Sequence, residues 1–556
     1  MRVTRWAVTV LTASLACAMV VTVPSVAEPD QPPEPVTAGA MPAPQTDGTV
    51  FAITIVGDTV YAGGRFDTAR PYGEEPGGPG EVERHNLLAF DLHTGQLLDW
   101  SPEVDGTEFS SSNDELAAWC TGTGEDRWVC DSVFDIEAGP SGETLYVGGD
   151  FDRIDGQWRS RVAAFDTAGG NLQPFDPAAD GRVRSVSATA DTVYFGGDFG
   201  AVGGHERARL AAVDTGGELL EWSPRADREV WSVLAVPELN RVVLGGRFGT
   251  VNGADRQGMT AVDATEGSLV PWEAEVPGGG EAVTDIVTDG SGTAWLSAFD
   301  FGSGSVRFEG RMAADIATGK AHWWDGCYGD SFGAAVADGV LYSVSHAHDC
   351  AASGAVPEEG ADFRYFRLLA QTADARGTAE HDHNHVEEGD PVPEVLPWFP
   401  NTDSGPSDSY FQQGTWAIDT DGRYVVVGGE FTGVNTHSRD SRPQQSLTRF
   451  GARGVDGAVD NGPQFPFRAP RLSRTFPILG SPVIRWDATW NAQNGEMTYQ
   501  VMREGTDEPI HEVTVESRPW DRPEQRFVDR GARSGTYWIR VVDDDGQVLR
   551  SPSSTL

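Results

Sequence analysis

A short pattern of apolar residues and paired glycines recurs along most of the chain. It is clearest at 145–151 (LYVGGDF), 193–199 (VYFGGDF) and 242–248 (VVLGGRF). The first glycines of these three pairs are 48 and 49 residues apart. A repeat of this length is typical of solenoids and propellers, in which each unit buries its apolar face against its neighbours.

Each repeat unit predicts four short strands. A β-branched run such as 183–186 precedes a turn and the Gly-Gly strand. An Asp-Gly or Asn-Gly pair, as at Asp155-Gly156, then favours a tight hairpin because both residues tolerate positive φ. A third strand such as 162–166 (VAAFD) and a Leu-x-x-Trp strand such as 219–222 complete the unit. Four antiparallel strands per unit form a propeller blade.

Further copies extend the array in both directions. The pattern recurs at 60–66 and 425–431, and degenerate copies occupy 294–299 and 340–345. The predicted fold is therefore all-β: a seven-bladed β-propeller over 41–462, interrupted by insertions near 70–130 and 351–392. Because 44–50 aligns with 224–230, we expect the N-terminal strand to complete the last blade and remove a free sheet edge. The alternative is a strand from 463–467.

The first 27 residues predict a secretory signal peptide. Arg2 and Arg5 precede an apolar run, and Ser25-Val26-Ala27 is a small-residue cleavage site. A retained membrane anchor is the alternative, although polar residues dilute the apolar run. We expect a linker over 28–40, a secreted protein, and no membrane span after cleavage.

The repeat resembles the delta-60-type propeller repeat of exported bacterial proteins. The resemblance rests on Tyr-Val-Gly-Gly-Asp-Phe, Ala-Ala-Phe-Asp and Trp-x-Pro, and implies an extracellular propeller without catalytic residues. The segment 463–556 resembles a fibronectin type III domain, most clearly at 534–542 (SGTYWIRVV). In that resemblance Tyr537 is the corner tyrosine and Trp486 the core tryptophan.

Cysteine content and net charge bear on the compartment and on the partners of the protein. Cys120, Cys130, Cys327 and Cys350 remain after cleavage, and an even number in an exported chain predicts two disulfides. Three pairings are open, and the local pairs Cys120–Cys130 and Cys327–Cys350 lose the least loop-closure entropy. The net charge of −43 argues against nucleic acid as a partner.

Candidate chemistry lies in the insertions and in the sixth unit. A divalent metal site is predicted from histidines and one aspartate in H-x-H patterns, which place alternate rings on one strand face. Its members are His346, His348, Asp349, His381, His383 and His385. The alternative is a disulfide-stabilised turn beside an acidic loop. Trp119 and Trp128 flank the first cysteine pair, and we expect them to be exposed and to bind a ligand.

These patterns favour a non-catalytic extracellular binding or scaffold protein whose partner is a protein or a glycan. No spacing of acidic residues singles out a carboxylate pair for glycoside hydrolysis. The alternative is an exported polysaccharide- or glycan-acting hydrolase with its site on a propeller face. Catalytic carboxylates can be dispersed along the sequence, so whether the protein is an enzyme stays open.

Overall fold

The computed structural model describes residues 31–556, except for 277–280, 301–307, 358–364, 437, 439–440, 465–466 and 477–479. The predicted signal peptide lies outside the described residues. The described chain is all-β and has no α-helix, only three short 3₁₀ helices at Asp114–Ala118, Pro237–Leu239 and Ala351–Ser353. None of its helices is both long and apolar enough to cross a membrane.

Seven small antiparallel sheets carry the repeat, and we number them 1 to 7 in chain order. Their strands are Thr49–Val56, Thr59–Arg65 and Leu87–Asp91; Val133–Ala138, Thr144–Gly149 and Val162–Asp166; Val183–Ala188, Thr192–Gly197 and Leu210–Asp214; Val230–Val236, Arg241–Gly246 and Met259–Asp263; Glu281–Val287, Thr293–Asp300, Gly310–Asp315 and Ala321–Trp324; Ser331–Ala337, Val340–Ala347, Phe366–Thr378 and Pro391–Val395; and Thr415–Thr420, Tyr424–Gly429 and Leu447–Gly451.

The first strand of each sheet, here called its inner strand, contacts the inner strands of the two neighbouring sheets. The inner strand of sheet 7 contacts that of sheet 1, so these contacts form a closed cycle. The predicted all-β class is confirmed. The expectation of four strands in every unit is wrong, because among the described residues only sheets 5 and 6 have four, and in sheets 1 to 4 the Leu-x-x-Trp or Leu-x-x-Phe segment makes a single bridge to the third strand.

The paired glycines permit close packing between sheets. A Cβ atom built on Gly196 would lie 2.6 Å from Cγ1 of Val230 in the next inner strand, and one on Gly245 would lie 2.6 Å from Cγ1 of Val283. No real side chain fits at such distances, so glycine is required there. In sheet 6 the equivalent residue is Val344, which pairs with Gly333. The small residue has moved to the other strand of that pair.

One aspartate before several inner strands holds a turn of the same sheet. Asp47, Asp180 and Asp227 each accept two main-chain N–H bonds of 2.8–2.9 Å from the turn after the Gly-Gly strand. These three residues occupy the same place in their Pro-x-x-Asp segments. The geometry therefore supports the alignment of 44–50 with 224–230.

The N-terminal segment lies along the last strand of sheet 7. The N–H of Thr37 donates to the carbonyl of Gly451 at 2.9 Å, and that of Met41 donates to the carbonyl of Arg449 at 2.7 Å. Residues 35–40 are buried, so this part of the predicted linker belongs to the folded structure. Pro463, the alternative source of this strand, pairs instead with Asn491.

Small outer hairpins connect the strands of the repeat. Their strands are Gln45–Thr46, Thr68–Arg70 and Val82–Glu83; Val104–Asp105, Arg153–Ile154 and Gln157–Trp158; Phe109–Ser110, Thr121–Gly124 and Arg127–Val129; Ala201–Val202 and His205–Glu206; Thr250–Val251 and Ala254–Asp255; and Gly433–Val434 and Arg442–Pro443. Asp155 and Asn252 have positive φ, as their turn motifs predict.

Two further sheets form the C-terminal part. Their strands are Arg471–Arg474, Pro482–Asp487 and Glu524–Val528; and Glu496–Arg503, His511–Glu516, Thr536–Val542, Val548–Arg550 and Ser554–Thr555. Both sheets contribute to one core, in which Trp486 is 2% exposed and Tyr537 is fully buried. The Tyr537 hydroxyl donates to Oδ2 of Asp529 at 2.9 Å.

The C-terminal sheets pack directly on the segment that follows sheet 6. The N–H of Phe399 donates to the carbonyl of Ala492 at 2.8 Å. The ring of Trp520 lies 5.2 Å from that of Phe399 and 5.7 Å from that of Phe366. Trp490 and Ala492 are buried in the same core as residues of sheets 6 and 7, so the C-terminal part packs on these sheets.

The cysteines form the two local pairs that loop-closure entropy favours. Cys120 is bonded to Cys130 within the first insertion, and Cys327 is bonded to Cys350. The second pair joins the end of sheet 5 to the end of the second strand of sheet 6. The prediction of two local disulfides is confirmed.

Replacing Asp227 with alanine should destabilise the protein by about 1 kcal/mol, because two main-chain N–H groups of the turn lose their acceptor. Urea unfolding of the purified variant measures this loss. Asp227→Asn is the matched control, since its amide oxygen can still accept both bonds, and we expect less than half of the loss. Equal losses in the two variants would show that charge, not hydrogen bonding, determines the effect.

Candidate functional site

A cavity of about 360 Å³ lies among the inner strands, and all seven sheets contribute to its wall. The lining segments are 51–54, 134–137, 184–187, 231–234, 284–288, 332–336 and 416–420. Every repeat unit therefore presents side chains to this space.

A β-bulge in every inner strand supplies one layer of this wall. At each bulge one residue is skipped in the pairing with the second strand, so its side chain is free to turn toward the cavity. The skipped residues are Phe51, Phe134, Arg184, Trp231, Thr284, Phe332 and Trp416. Five of the seven are aromatic, and this layer was not predicted from the sequence.

Trp119 of the first insertion contacts this aromatic layer. Its ring centroid lies 5.6 Å from that of Phe134, 5.9 Å from that of Phe51 and 6.0 Å from that of Trp416. Phe411, from the segment before sheet 7, lies 5.2 Å from Trp119. Two separate loops therefore meet at the aromatic end of the cavity.

Several contacts hold Trp119 in this position. It follows the 3₁₀ helix Asp114–Ala118 and precedes the disulfide-bonded Cys120. Nη1 of Arg65 donates to the carbonyl of Cys120 at 3.0 Å, and Oγ of Ser132 donates to the carbonyl of Trp119 at 2.6 Å. The guanidinium of Arg184 lies 4.9 Å from the Trp119 ring, a cation–π distance.

The expectation that Trp119 and Trp128 are exposed is wrong, because both are partly buried. Trp119 packs on the aromatic layer, and Nε1 of Trp128 donates to the carbonyl of Ser111 at 3.0 Å. Position beside a cysteine indicated a constrained loop, and nothing in the sequence showed where that loop would dock. Their role in ligand binding stays a prediction.

Four carboxyl groups line the cavity: Asp135, Glu137, Asp285 and Asp419. Burial raises the pKa of Asp135 and of Asp419 to about 7 and that of Asp285 to about 6. Burial, and then the neighbouring Asp135, raises the pKa of Glu137 well above its ordinary value. Sequence spacing did not single out these residues, since they come from three separate stretches of the chain.

Three of these carboxyls bond to the inner strand of the next sheet. Oδ2 of Asp135, Asp285 and Asp419 accepts from the N–H of Val186 at 2.6 Å, Ala334 at 2.9 Å and Ile55 at 2.8 Å, respectively. Ser185 has the same role in sheet 3, where its Oγ accepts from the N–H of Val233 at 3.1 Å. An acceptor at these positions therefore joins neighbouring sheets.

A cleft of about 350 Å³, here called the insertion cleft, lies beside the aromatic end of the cavity. Its aromatic lining consists of Trp119, Trp231, Tyr410 and Phe411, and its charged lining includes Arg182, Arg184, Arg247, Asp198 and Glu229. Tyr410 is 56% exposed. Aromatic faces beside charged donors suit recognition of a sugar ring or a polar loop.

The predicted metal residues fall into separate groups. Nε2 of His383 lies 3.4 Å from Oδ1 of Asp349, whereas His381 and His385 are exposed. Nδ1 of His346 lies 2.5 Å from Oε1 of Gln413, and burial lowers the pKa of His346 to about 4.

The rings of His346 and His348 are stacked 6.2 Å apart, as expected for one strand face. Within the described residues, three metal-ligand atoms come within 4.8 Å of one another only at Cys120, Cys130 and Asp150, and those sulfurs form a disulfide. The histidine metal site therefore stays a prediction.

No family model matches the chain, and no curated protein matches it. Similar solved structures include the computationally designed protein Ika8, at 14% identity over 73% of this chain and 98% of that chain, with a TM-score of 0.36. Another is a chain in the Mitotic Checkpoint Complex, at 10% identity over 79% of this chain and 99% of that chain, with a TM-score of 0.40. Both TM-scores are below 0.5, so neither likeness carries an argument about fold or function.

Replacing Asp419 with asparagine should change how stability depends on pH. The carboxyl has a pKa of about 7 in the folded protein and about 4 when unfolded. Between these values the unfolded state loses its proton first, so the wild type loses stability as the pH rises. The variant keeps an acceptor for Ile55 and should gain stability relative to wild type from pH 4 to pH 8.

Urea unfolding at several pH values measures this difference. Asp255→Asn, at an exposed position, controls for the loss of one negative charge. A difference between Asp419→Asn and wild type that stays constant from pH 4 to pH 8 would contradict burial of an ionisable carboxyl at this place.

Replacing Trp119 with alanine should cost about 3 kcal/mol of unfolding free energy, because a large aromatic side chain leaves a packed cluster. Near-UV circular dichroism should weaken in the same variant. Trp128→Ala is the matched control from the same insertion, and we expect at most half of that cost. If the two variants lose equal stability, Trp119 does not pack on the aromatic layer as described.

Proposed function

We propose that the seven repeat sheets are the blades of a β-propeller and that the C-terminal sheets form a fibronectin type III-like domain. The closed cycle of inner-strand contacts and the seven-sided cavity support the propeller. The N-terminal segment then completes the last blade, as its bonds to Gly451 and Arg449 suggest. A buried corner tyrosine and core tryptophan support the second domain.

We further propose that the protein is secreted and acts as a non-catalytic binding protein in the extracellular space. The predicted signal peptide and the two disulfides are typical of exported proteins. The net charge of −43 disfavours anionic partners such as nucleic acid.

The insertion cleft carries the binding proposal. It combines exposed and partly buried aromatic rings with arginine and carboxylate side chains, and it lies where two loops meet on a scaffold of sheets. Rigid scaffolds commonly present their ligand contacts on such loops. A glycan or a polar loop of an extracellular protein fits this chemistry, because a ring can stack on Tyr410 while its polar groups bond to the arginines.

The cavity carboxyls favour a second candidate, a glycan-acting hydrolase. Carboxyls with raised pKa values in a cavity are candidates for general acid catalysis. However, Asp135, Asp285 and Asp419 bond to main-chain donors of neighbouring sheets, and Ser185 does the same where no acid is present. Joining of sheets explains these three acids without catalysis, so we favour the binding function.

A glycan array with the purified protein tests the binding function. For any glycan bound, Tyr410→Ala should weaken affinity about tenfold, the equivalent of about 1.4 kcal/mol. Trp158→Ala is the matched control, because Trp158 is 58% exposed but does not line the insertion cleft. Equal effects of the two variants would contradict a site in the cleft.

Product analysis on the same glycan separates binding from hydrolysis. We expect no cleavage by the wild type. Cleavage that is lost in Glu137→Gln, with binding retained, would overturn the non-catalytic proposal and favour the hydrolase.

A further inference from the structure

One repeat unit departs from the others at an aromatic position. The Leu-x-x-Trp segments at 97–100, 219–222 and 269–272 end in Trp100, Trp222 and Trp272. The corresponding segment at 172–175 (LQPF) ends in Phe175. The substitution removes half of a bicyclic ring and its N–H donor from the junction between sheets 2 and 3.

The tryptophans show what this position does elsewhere. Nε1 of Trp100 donates to the carbonyl of Gly170 in the next sheet's turn at 3.0 Å, and Nε1 of Trp222 donates to the carbonyl of Asp263 at 2.9 Å. The ring of Trp100 packs edge-on against Tyr61, and that of Trp222 against Tyr194, both at 5.1 Å between centroids. An indole therefore fills these junctions and bonds across them.

At Phe175 the junction is left partly open. The ring of Phe175 packs on Tyr146 at 5.4 Å, but it has no N–H to donate across the junction. A cavity of about 520 Å³ lies there, in the size range of small-molecule sites. Its walls include Pro174, Phe175 and Tyr146 on one side, and Thr189 and the turn at 215–216 on the other.

The side chain of a tyrosine also lines this cavity. Tyr146 lines it and is 4% exposed. In the next unit the hydroxyl of Tyr194 donates to the carbonyl of Ala264 at 2.8 Å. Within the part of the chain that the structure describes, the hydroxyl of Tyr146 makes no hydrogen bond to protein. This hydroxyl is therefore available to hydrogen-bond a polar group of a ligand.

We propose that this cavity is a binding site for a small planar aromatic molecule that carries a hydrogen-bond donor on its edge, of the indole class. Two sister repeats define this chemistry, because the indole rings of Trp100 and Trp222 occupy the equivalent junctions and donate to the next sheet. The ligand lies beside Phe175, packs on Tyr146 and donates to the main chain around Thr215. This site is separate from the insertion cleft and does not depend on the proposed function.

Binding of indole, measured by saturation-transfer NMR and by calorimetry, tests this site. We expect a dissociation constant of roughly 0.1–1 mM, a reasonable affinity for nine heavy atoms. Phe175→Trp should abolish binding, because the new indole fills the cavity from within the chain. Phe175→Leu leaves the cavity open and should retain binding within about threefold.

Two further comparisons test the role of the N–H donor and the location of the site. 1-Methylindole has the same ring without the N–H donor, and it should bind wild type at least about fivefold more weakly than indole. Tyr410→Ala should leave indole binding unchanged, which distinguishes this site from the insertion cleft. Absence of indole binding to folded wild type, or equal binding to wild type and Phe175→Trp, would overturn the proposal. So would equal binding of the two ligands to wild type, a comparison that needs no variant.

Discussion

Close approach of neighbouring sheets is the constraint on which the rest of this structure depends. At the first glycine of each intact Gly-Gly pair, a Cβ atom would overlap a β-branched side chain of the next inner strand. Without that atom, the inner strands lie near enough for Asp135 and Ser185 to accept main-chain N–H bonds from the next sheet. Where the glycine is lost in sheet 6, Gly333 on the partner strand supplies the missing space.

The same closeness determines what can face the centre. Each inner strand pairs with the second strand of its sheet and packs against two neighbouring inner strands. The extra residue at its bulge therefore has room only toward the cavity, and the skipped residues line the cavity. The result is an aromatic layer that Trp119 and Phe411 cover from outside, with buried carboxyls on the same wall. Because three of the four acids accept main-chain bonds between sheets, the proposed recognition surface is that of the loops.

The sequence predicted the features that local pattern controls. These include the repeated strands, their hairpin turns and the two local disulfides, since each depends on residues close together in the chain. The places where loops pack on the sheets were not predictable from the sequence. Trp119 was expected at the surface because it lies in an insertion beside a cysteine pair, and its ring contacts come from sheets 1, 2, 3, 4 and 7. The cavity carboxyls and the Phe175 junction were not identified from the sequence, because their roles depend on contacts with residues of other repeat units.

The N-terminal segment is the element that joins the two ends of the array. Pattern alone predicted a linker through residue 40, whereas Thr37 and Met41 bond to the last strand of sheet 7. Hydrogen-exchange mass spectrometry of residues 33–45 tests the closed arrangement most directly. The account predicts that the Thr37 and Met41 amides exchange as slowly as those of Leu447–Gly451. Exchange as fast as in exposed loops would show that the array is not closed by this segment.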